Sequence, residues 1–204
     1  MKPKLIIFAS GTKEGGGSGF ENLIKHQIAA DIIGVVSNNE YGGVRERADR
    51  LGIPFIYFPA PYTSERYQEI VKDADFVALS GWMRLVAGLD PRVTFNIHPG
   101  PLPEFGGKGL YGNFVHEAVL KAYHEGRVTH SAVSMHFVTP EFDEGPTFFR
   151  SPVPILPDDT PATLAERVNQ AEHEWQPKIT DQVVSGEISW DGENPATLVG
   201  AQLS

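Results

Sequence analysis

Four short apolar runs in the first half of the chain are separated by stretches long enough to form helices. The runs read KLIIFAS, DIIGVVS, IPFIYF and DFVALSG, and each is typical of a buried strand because Ile, Val and Phe dominate it. The intervening stretches, roughly residues 19–30, 43–51 and 64–72, predict helices, the last with Ser64 as its N-cap. Strands that alternate with helices are joined by right-handed crossovers, so the pattern predicts an α/β fold with a mostly parallel sheet.

The second half of the chain has a different pattern. Residues 113–124 predict a helix, and the run SAVSMHFVT then alternates in the manner of a half-exposed strand. The run TFFRSPVPI predicts an antiparallel partner across the PEFDEGP turn, with Pro152 and Pro154 placing it near the sheet edge. A long helix is expected from about residue 161 to 185. We therefore expect one domain over residues 1–190 and a C-terminal tail over residues 191–204.

Composition and charge exclude several classes of function. The net charge of −9 argues against broad nucleic-acid binding, which needs a surface rich in Lys and Arg. The chain has no cysteine, which excludes disulfides, thiolate nucleophiles and cysteine-ligated zinc. No signal-peptide pattern surrounds the first apolar run, which is far too short to span a bilayer. We therefore expect a cytoplasmic protein that does not contact membranes.

A glycine-rich segment, SGTKEGGGSGFENL, lies between the first predicted strand and the first predicted helix. Ser18, Glu21 and Asn22 lie at or near the start of that helix, where free N–H groups and the helix dipole attract anions. The segment lacks the Lys-Ser/Thr ending of a Walker loop, and its spacing is not that of a dinucleotide fingerprint. A phosphate-binding turn is the favoured interpretation, and a flexible surface loop is the alternative.

A fifth strand-like run ends in polar residues, within the segment FNIHPGPLPEFGG. Asn96 and His98 are two residues apart on this strand, so both side chains point to the same face. An amide can donate a hydrogen bond to a carbonyl oxygen as that oxygen gains charge, while an imidazole can donate or shuttle a proton. This pair therefore indicates acyl chemistry, with a core histidine satisfied by backbone groups as the alternative.

Asp143 follows in the turn of MHFVTPEFDEGP, where aspartate is common for structural reasons alone. If the chain returns it to His98, its carboxylate would raise the pKa of the imidazole and orient the ring. The other histidines do not show the spacing of a zinc site, and the sequence has no Gly-x-Ser-x-Gly elbow of a serine hydrolase.

The segments FNIHPGPLP and SMHFVTPEFDEGP resemble the phosphoribosylglycinamide formyltransferases of purine synthesis, within the folate formyltransferase superfamily. The segment SGWMRLV resembles the strand-to-loop segment of that family, and RVNQAEHEWQP resembles its last helix. The resemblance runs from Lys4 to about Trp190 and implies a Rossmann-like sheet. It also implies transfer of the formyl group of 10-formyltetrahydrofolate to the amine of 5-phosphoribosylglycinamide (GAR), without a metal. The partners would then be these two small molecules alone, with the protein acting as a monomer or a homodimer.

The resemblance also implies roles for individual residues. Those implied to be catalytic are Asn96, His98 and Asp143. Those implied to contact the folate are Met83, Arg84, Leu85, Val86, Asn96, Thr139, Pro140, Glu141, Phe142 and Asp143. Those implied to bind the acceptor are Gly17, Ser18, Gly19, Asn22, Pro99, Gly100 and Glu172.

The chain departs from the family pattern mainly in the glycine-rich segment, which in the family is a tight Ser-Gly-x-Gly-Ser-Asn turn. Here Thr12, Lys13 and Glu14 are inserted, and either Lys13 or Lys108 is expected to support the acceptor phosphate. A sugar N-formyltransferase or a formyltetrahydrofolate hydrolase would use the same three catalytic residues. The first usually has an additional C-terminal region and the second an N-terminal regulatory domain, neither of which is expected here. A non-catalytic nucleotide-binding module would leave those three residues unexplained.

Overall fold

The first half of the chain forms the parallel part of one sheet in the computed structural model, which describes residues 1–13 and 15–204. Glu14, in the inserted part of the glycine-rich segment, lies outside the described residues. The strands of this half are β1 (Lys4–Phe8), β2 (Asp31–Ser37), β3 (Phe55–Tyr57), β4 (Phe76–Ser80) and β5 (Thr94–His98). Each pairs in parallel with its neighbours in the order β3-β2-β1-β4-β5. The predicted run of parallel strands is confirmed.

Three helices connect these strands, namely α1 (Ser18–Lys25), α2 (Gly43–Leu51) and α3 (Ser64–Val71). Helix α1 ends before the predicted residue 30, because Gln27 adopts a left-handed backbone with φ 48° and stops the helix. The N-cap of α3 is Thr63 rather than the predicted Ser64, because Thr63 has the extended backbone of a cap while Ser64 is already helical.

The second half adds the antiparallel part of the sheet. It contains α4 (Asn113–His124), β6 (His130–Phe137), β7 (Thr147–Pro154), α5 (Pro161–Val184) and the short β8 (Gln202–Leu203). Strand β6 pairs antiparallel with both β5 and β7, and β8 pairs in parallel with β7 to complete the eight-stranded sheet. The predicted fold class, a mostly parallel α/β sheet with antiparallel strands in the C-terminal half, is confirmed.

Strand β6 is buried on both faces, whereas its alternation predicted a half-exposed strand. Val133 and Met135 pack into the core on one face. Ser134 points to the other face, where its hydroxyl donates to the carbonyl of Gly100 at 2.7 Å and accepts the N–H of Leu102 at 3.3 Å. The alternation was therefore real, but the polar face is covered by the proline-rich loop that follows β5 (residues 99–107) and not by solvent.

The core lies on the two faces of the sheet, and β1 contributes alternately to both. Leu5 and Ile7 belong to the larger cluster, which includes side chains of α1, α4 and α5. Ile6 and Phe8 belong to the smaller cluster, with Tyr67 of α3. Because both faces are covered, only the edge formed by the carboxyl ends of the parallel strands is left open for a ligand, as expected for open α/β sheets.

The C-terminal residues return to the sheet. The indole N–H of Trp190 donates to the carbonyl of Asn194 at 2.8 Å, and Ser189 forms a β-bridge with Val199. The hydroxyl of Ser204 donates to the carbonyl of Arg150 on β7 at 2.7 Å. The segment that the sequence set apart as a tail therefore makes specific contacts with the domain. Within the residues described, no helix is both long and apolar enough to cross a bilayer.

Candidate active site

A cleft of about 790 Å³ lies at the open edge of the sheet, where β1, β4 and β5 end. Its walls are the glycine-rich segment, the residues that follow β4 and β5, the loop 107–112 and one face of α5. Asn96, His98 and Asp143 all line it. The three residues that the sequence singled out for chemistry therefore meet in one cleft, although Asp143 is distant from the other two in the chain.

Asn96 and His98 point from β5 to the cleft side, as their spacing predicted. The Nε2 atom of His98 lies 2.8 Å from the carbonyl oxygen of Phe105. A carbonyl oxygen can only accept, so Nε2 carries the hydrogen of this bond. The Nδ1 atom then holds the free lone pair of the neutral ring, and it faces Asp143 Oδ2 at 3.7 Å. The proline-rich loop thus determines which nitrogen of His98 is available for chemistry.

Asp143 reaches the cleft from the loop between β6 and β7, in a left-handed backbone conformation with φ 57°. Its Oδ2 accepts the N–H of Gly107 at 3.0 Å, and its Oδ1 lies 3.3 Å from Nε2 of His136 and 3.5 Å from Nδ2 of Asn96. Burial raises the pKa of the carboxyl, but His136, His98 and the Gly107 N–H together outweigh burial and hold the pKa below its ordinary value. Asp143 is therefore ionised at neutral pH.

The pKa of His98 lies below its ordinary value, whereas we expected Asp143 to raise it. Burial lowers the pKa of His98, and the carboxylate of Asp143 and the carbonyl of Phe105 compensate only in part. The expectation considered the carboxylate but not the desolvation of a ring that is almost fully enclosed. His98 is therefore neutral at neutral pH.

His136 is a residue of the site that the sequence did not assign. It is buried on β6 directly opposite Asn96, and its Nε2 lies 3.0 Å from Nδ2 of Asn96. Its Nδ1 lies 2.8 Å from the carbonyl oxygen of Phe137 and so donates to it, and its Nε2 faces both Nδ2 of Asn96 and Oδ1 of Asp143. The spacing of two residues between Ser134 and His136 indicated that both side chains lie on the same face of β6. The register between β5 and β6, which places His136 opposite Asn96, could not be known from the sequence.

The start of α1 forms the opposite wall of the cleft. Gly17, Ser18 and Gly19, which the resemblance assigned to the acceptor, line it. A side chain at Gly19 would place its Cβ 2.3 Å from Ser80 Oγ and 2.8 Å from Gln176 Oε1, so the close approach of α1 to β4 and α5 requires glycine here.

Two of the residues predicted to bind the acceptor do not line the cleft. Asn22 donates from Nδ2 to the carbonyl of His173 at 2.7 Å and so joins α1 to α5. Gly100 lies behind His98, where an added Cβ would come within 2.5 Å of Val115. Pro99 does line the cleft, and so does Lys108, whereas Lys13 does not.

Glu172 of α5 lines the cleft beside the glycine-rich wall. Its Oε2 accepts a hydrogen bond from Nδ2 of Asn169 at 3.1 Å. Burial raises the pKa of Glu172 to about 7, against the opposing effect of Asn169. The carboxyl therefore changes its charge near neutral pH, close to where a ligand at the start of α1 would lie.

Comparison with known proteins shows the family. Residues 3–180 match the family model described as formyl transferase. The protein of Arabidopsis thaliana named "Phosphoribosylglycinamide formyltransferase, chloroplastic" is 34% identical over 206 residues, which cover 93% of this chain and 68% of that protein. A crystal structure of phosphoribosylglycinamide formyltransferase from Anaplasma phagocytophilum superposes with a TM-score of 0.78 at 29% identity, covering 94% of this chain and 93% of that one. This chain belongs to the phosphoribosylglycinamide formyltransferases, within the formyl transferase family.

The relatives differ in length and location. This formyltransferase chain spans only 63% of the cowpea protein of the same name, and 19% of the human protein named "Trifunctional purine biosynthetic protein adenosine-3", with which it is 32% identical. Because the plant relatives are named chloroplastic, the cytoplasmic location stays a prediction for this chain.

Most of the residues that the formyltransferase resemblance assigned to the folate lie together beside Asn96 and Asp143. A second, smaller cavity of about 40 Å³ adjoins Asn96 and Asp143 and is lined by Arg84, Leu85, Val86, Thr139, Glu141 and Phe142. Met83 lines the main cleft instead, and Pro140 is exposed and lines neither cavity. Over residues 1–13 and 15–204, no group of His, Asp and Glu side chains is arranged to hold a metal ion.

Proposed function

We propose that this protein transfers the formyl group of 10-formyltetrahydrofolate to the amine of GAR by direct attack. The observation that supports this most strongly is the meeting of Asn96, His98 and Asp143 at the junction of the main cleft with the smaller cavity. The smaller cavity alone is too small for a bicyclic ring, so the folate ring would lie where its lining residues border the main cleft, and the phosphorylated acceptor would extend from Asn96, His98 and Asp143 toward the start of α1. The formyl carbon and the amine then meet where all three side chains can reach them.

In the first step the amine attacks the formyl carbon, and the carbonyl oxygen becomes an oxyanion. Nδ2 of Asn96 donates to that oxygen with the hydrogen that does not face Nε2 of His136, 3.0 Å away. The second hydrogen makes the long contact of 3.5 Å with Asp143, which the formyl oxygen replaces. His136 thereby orients the Asn96 amide so that its other N–H points toward the formyl oxygen.

In the second step a proton passes from the attacking nitrogen to N10 of the folate. Neutral His98 takes it on Nδ1, the atom left free by the bond between Nε2 and Phe105. The carboxylate of Asp143, 3.7 Å away, stabilises the imidazolium that forms. The charged ring then donates to the oxyanion and returns the proton to N10 as the bond between carbon and N10 breaks. No acyl-enzyme is required, in keeping with a chain that has no cysteine.

The decisive test is formylation of GAR by the purified protein, followed by the absorbance change when 10-formyltetrahydrofolate is converted to tetrahydrofolate. We expect release of tetrahydrofolate that depends strictly on GAR. Release of formate without an acceptor would indicate a formyltetrahydrofolate hydrolase, and activity only with a nucleotide-linked amino sugar would indicate a sugar N-formyltransferase. Inorganic phosphate is expected to compete with GAR, and failure to compete would exclude the glycine-rich wall as the phosphate site.

The affinity for GAR is expected to fall as the pH drops through about 7, because Glu172 has a pKa of about 7. The ionised carboxylate accepts two hydrogen bonds from the ribose hydroxyls, whereas the protonated form accepts fewer. The KM for GAR should therefore rise below pH 7 in the wild type and should change less in Glu172→Gln. Protonation of the GAR amine affects both proteins equally, so the difference between the two profiles isolates Glu172. Parallel profiles would contradict the role of this residue.

A further inference from the structure

Arg47 of α2 connects three separate parts of the chain outside the cleft. Its Nη1 donates to the carbonyl oxygen of Gly16 at 2.9 Å and to that of Gly43 at 3.3 Å. Its Nε donates to Oε2 of Glu21 on α1 at 2.8 Å. Arg47 itself does not line the cleft, whereas Gly16 does. The guanidinium thus binds the backbone carbonyl of Gly16 from the side of the glycine-rich segment that faces away from the cleft.

Glu21, the partner of Arg47, is an acid in the first turn of α1. It is nearly buried and forms ion pairs with Lys25 at 2.8 Å, Arg47 at 2.8 Å and Arg50 at 3.1 Å. Hydrogen bonds from Arg50, and secondarily from Lys25, lower the pKa of Glu21 to about 2. The carboxylate is therefore charged at neutral pH. An uncompensated carboxylate here would repel an anion bound at the start of the same helix. The three cations neutralise it and leave the surrounding charge positive.

The start of α2 packs against Gly11, Thr12 and Gly15 of the glycine-rich segment. A Cβ on Gly43 would lie 2.4 Å from the carbonyl carbon of Gly15, and a Cβ on Gly11 would lie 2.7 Å from Val44. The N–H of Gly43 donates to the carbonyl of Thr12 at 3.3 Å. Arg47 lies one helical turn further along α2, so contacts from a single helix reach both Thr12 and Gly16 of the glycine-rich segment.

We propose that Arg47 is a positioning residue for the acceptor phosphate, an inference that rests on the proposed function. By holding the carbonyl of Gly16 toward α2, it keeps that oxygen away from the cleft. The N–H groups at the start of α1, which have no partner within the helix, then face the anion. By pairing with Glu21, it also adds to the neutralisation of this carboxylate by Lys25 and Arg50. Arg47 acts on the acceptor alone, because the folate cavity lies on the other side of Asn96.

The test compares Arg47→Ala with wild type by steady-state kinetics, varying GAR and 10-formyltetrahydrofolate separately. We expect the KM for GAR to rise about tenfold, the effect typical of losing a charge-assisted hydrogen bond, with the KM for folate and kcat almost unchanged. Arg45→Ala is the matched control, since Arg45 lies on the same helix and pairs only with Asp49 and the Phe55 ring. A purely structural role would lower the melting temperature and the active fraction but leave both KM values unchanged, and that result would overturn the proposal.

A second variant, Arg47→Lys, keeps the charge and tests the bond to the Gly16 carbonyl. Lysine can neutralise Glu21 but cannot donate to Gly16 and Glu21 in the fork geometry of a guanidinium, so the KM for GAR should stay several-fold raised. Full recovery with lysine would overturn the positioning role, as would an unchanged KM in Arg47→Ala.

If the wild type does not formylate GAR, the proposed function fails, and the inference is tested instead by the rise in melting temperature that inorganic phosphate produces. A rise in wild type that is lost in both Arg47 variants would support it, and an equal rise in all three would exclude it.

Discussion

Turnover of His98→Ala is expected to be lower than that of the wild type by about 10²- to 10³-fold or more. In the proposed mechanism the substitution removes the group that takes the proton of the attacking amine and donates to the oxyanion. Asn96→Ala should have a loss of the same order, because it removes the donor that faces the formyl oxygen throughout the reaction. The measurement is kcat at saturating GAR and folate.

His98 is buried and bonded to Phe105, so the folding of the variant must be checked by its melting temperature and circular dichroism. His98→Gln is a second variant with a side chain closer in size, and it should be equally inactive because an amide cannot carry the proton. His124→Ala is the matched control, since His124 is exposed at the end of α4 and should have wild-type turnover. Near-normal turnover in a folded His98 variant would remove the mechanism.

Asp143→Asn is expected to lower kcat by about 10²-fold or more, the scale typical of proton transfer assisted by a positioned group. Asparagine suits this position sterically, because it tolerates the left-handed backbone that Asp143 adopts and can still accept the N–H of Gly107. The loss would therefore report the missing charge rather than a collapsed loop. Glu144→Gln, an exposed acid at the next position of the same turn, is the control and should leave kcat unchanged.

The pH dependence of kcat/KM tests a second role of Asp143, which is its effect on the pKa of His98. In the proposed mechanism His98 must be neutral before it takes the proton, so we expect kcat/KM to fall as the pH drops through the pKa of His98 in the free enzyme. The carboxylate opposes the lowering of that pKa by burial, so its removal should lower the pKa further. The acid limb of Asp143→Asn should therefore move to lower pH. An acid limb that stays at the wild-type pH, together with near-normal kcat, would show that Asp143 does not act on His98.

Local features of this protein could be predicted wherever the physical cause is local. Alternation of apolar runs with helix-length stretches predicts crossovers and hence parallel strands, and α2 and α4 have the predicted bounds. The two-residue spacing of Asn96 and His98 puts both on one face of β5, because side chains alternate along any strand. The errors at the end of α1, which stops at Lys25 instead of residue 30, and at the N-cap of α3 both lie at helix ends, where a left-handed Gln27 or an extended Thr63 depends on local backbone competition.

By itself, the sequence determined the order of strands and helices, the face shared by Asn96 and His98, and the family, because periodicity and motifs depend on neighbours in the chain. The tertiary structure alone decided that Asp143 reaches His98, that His136 lies opposite Asn96, and that Arg47 holds the carbonyl of Gly16. It also reversed the expected shift of the His98 pKa, since desolvation depends on the proline-rich loop that encloses the ring. These relations join residues that are far apart in the chain, and strand register and loop packing set them.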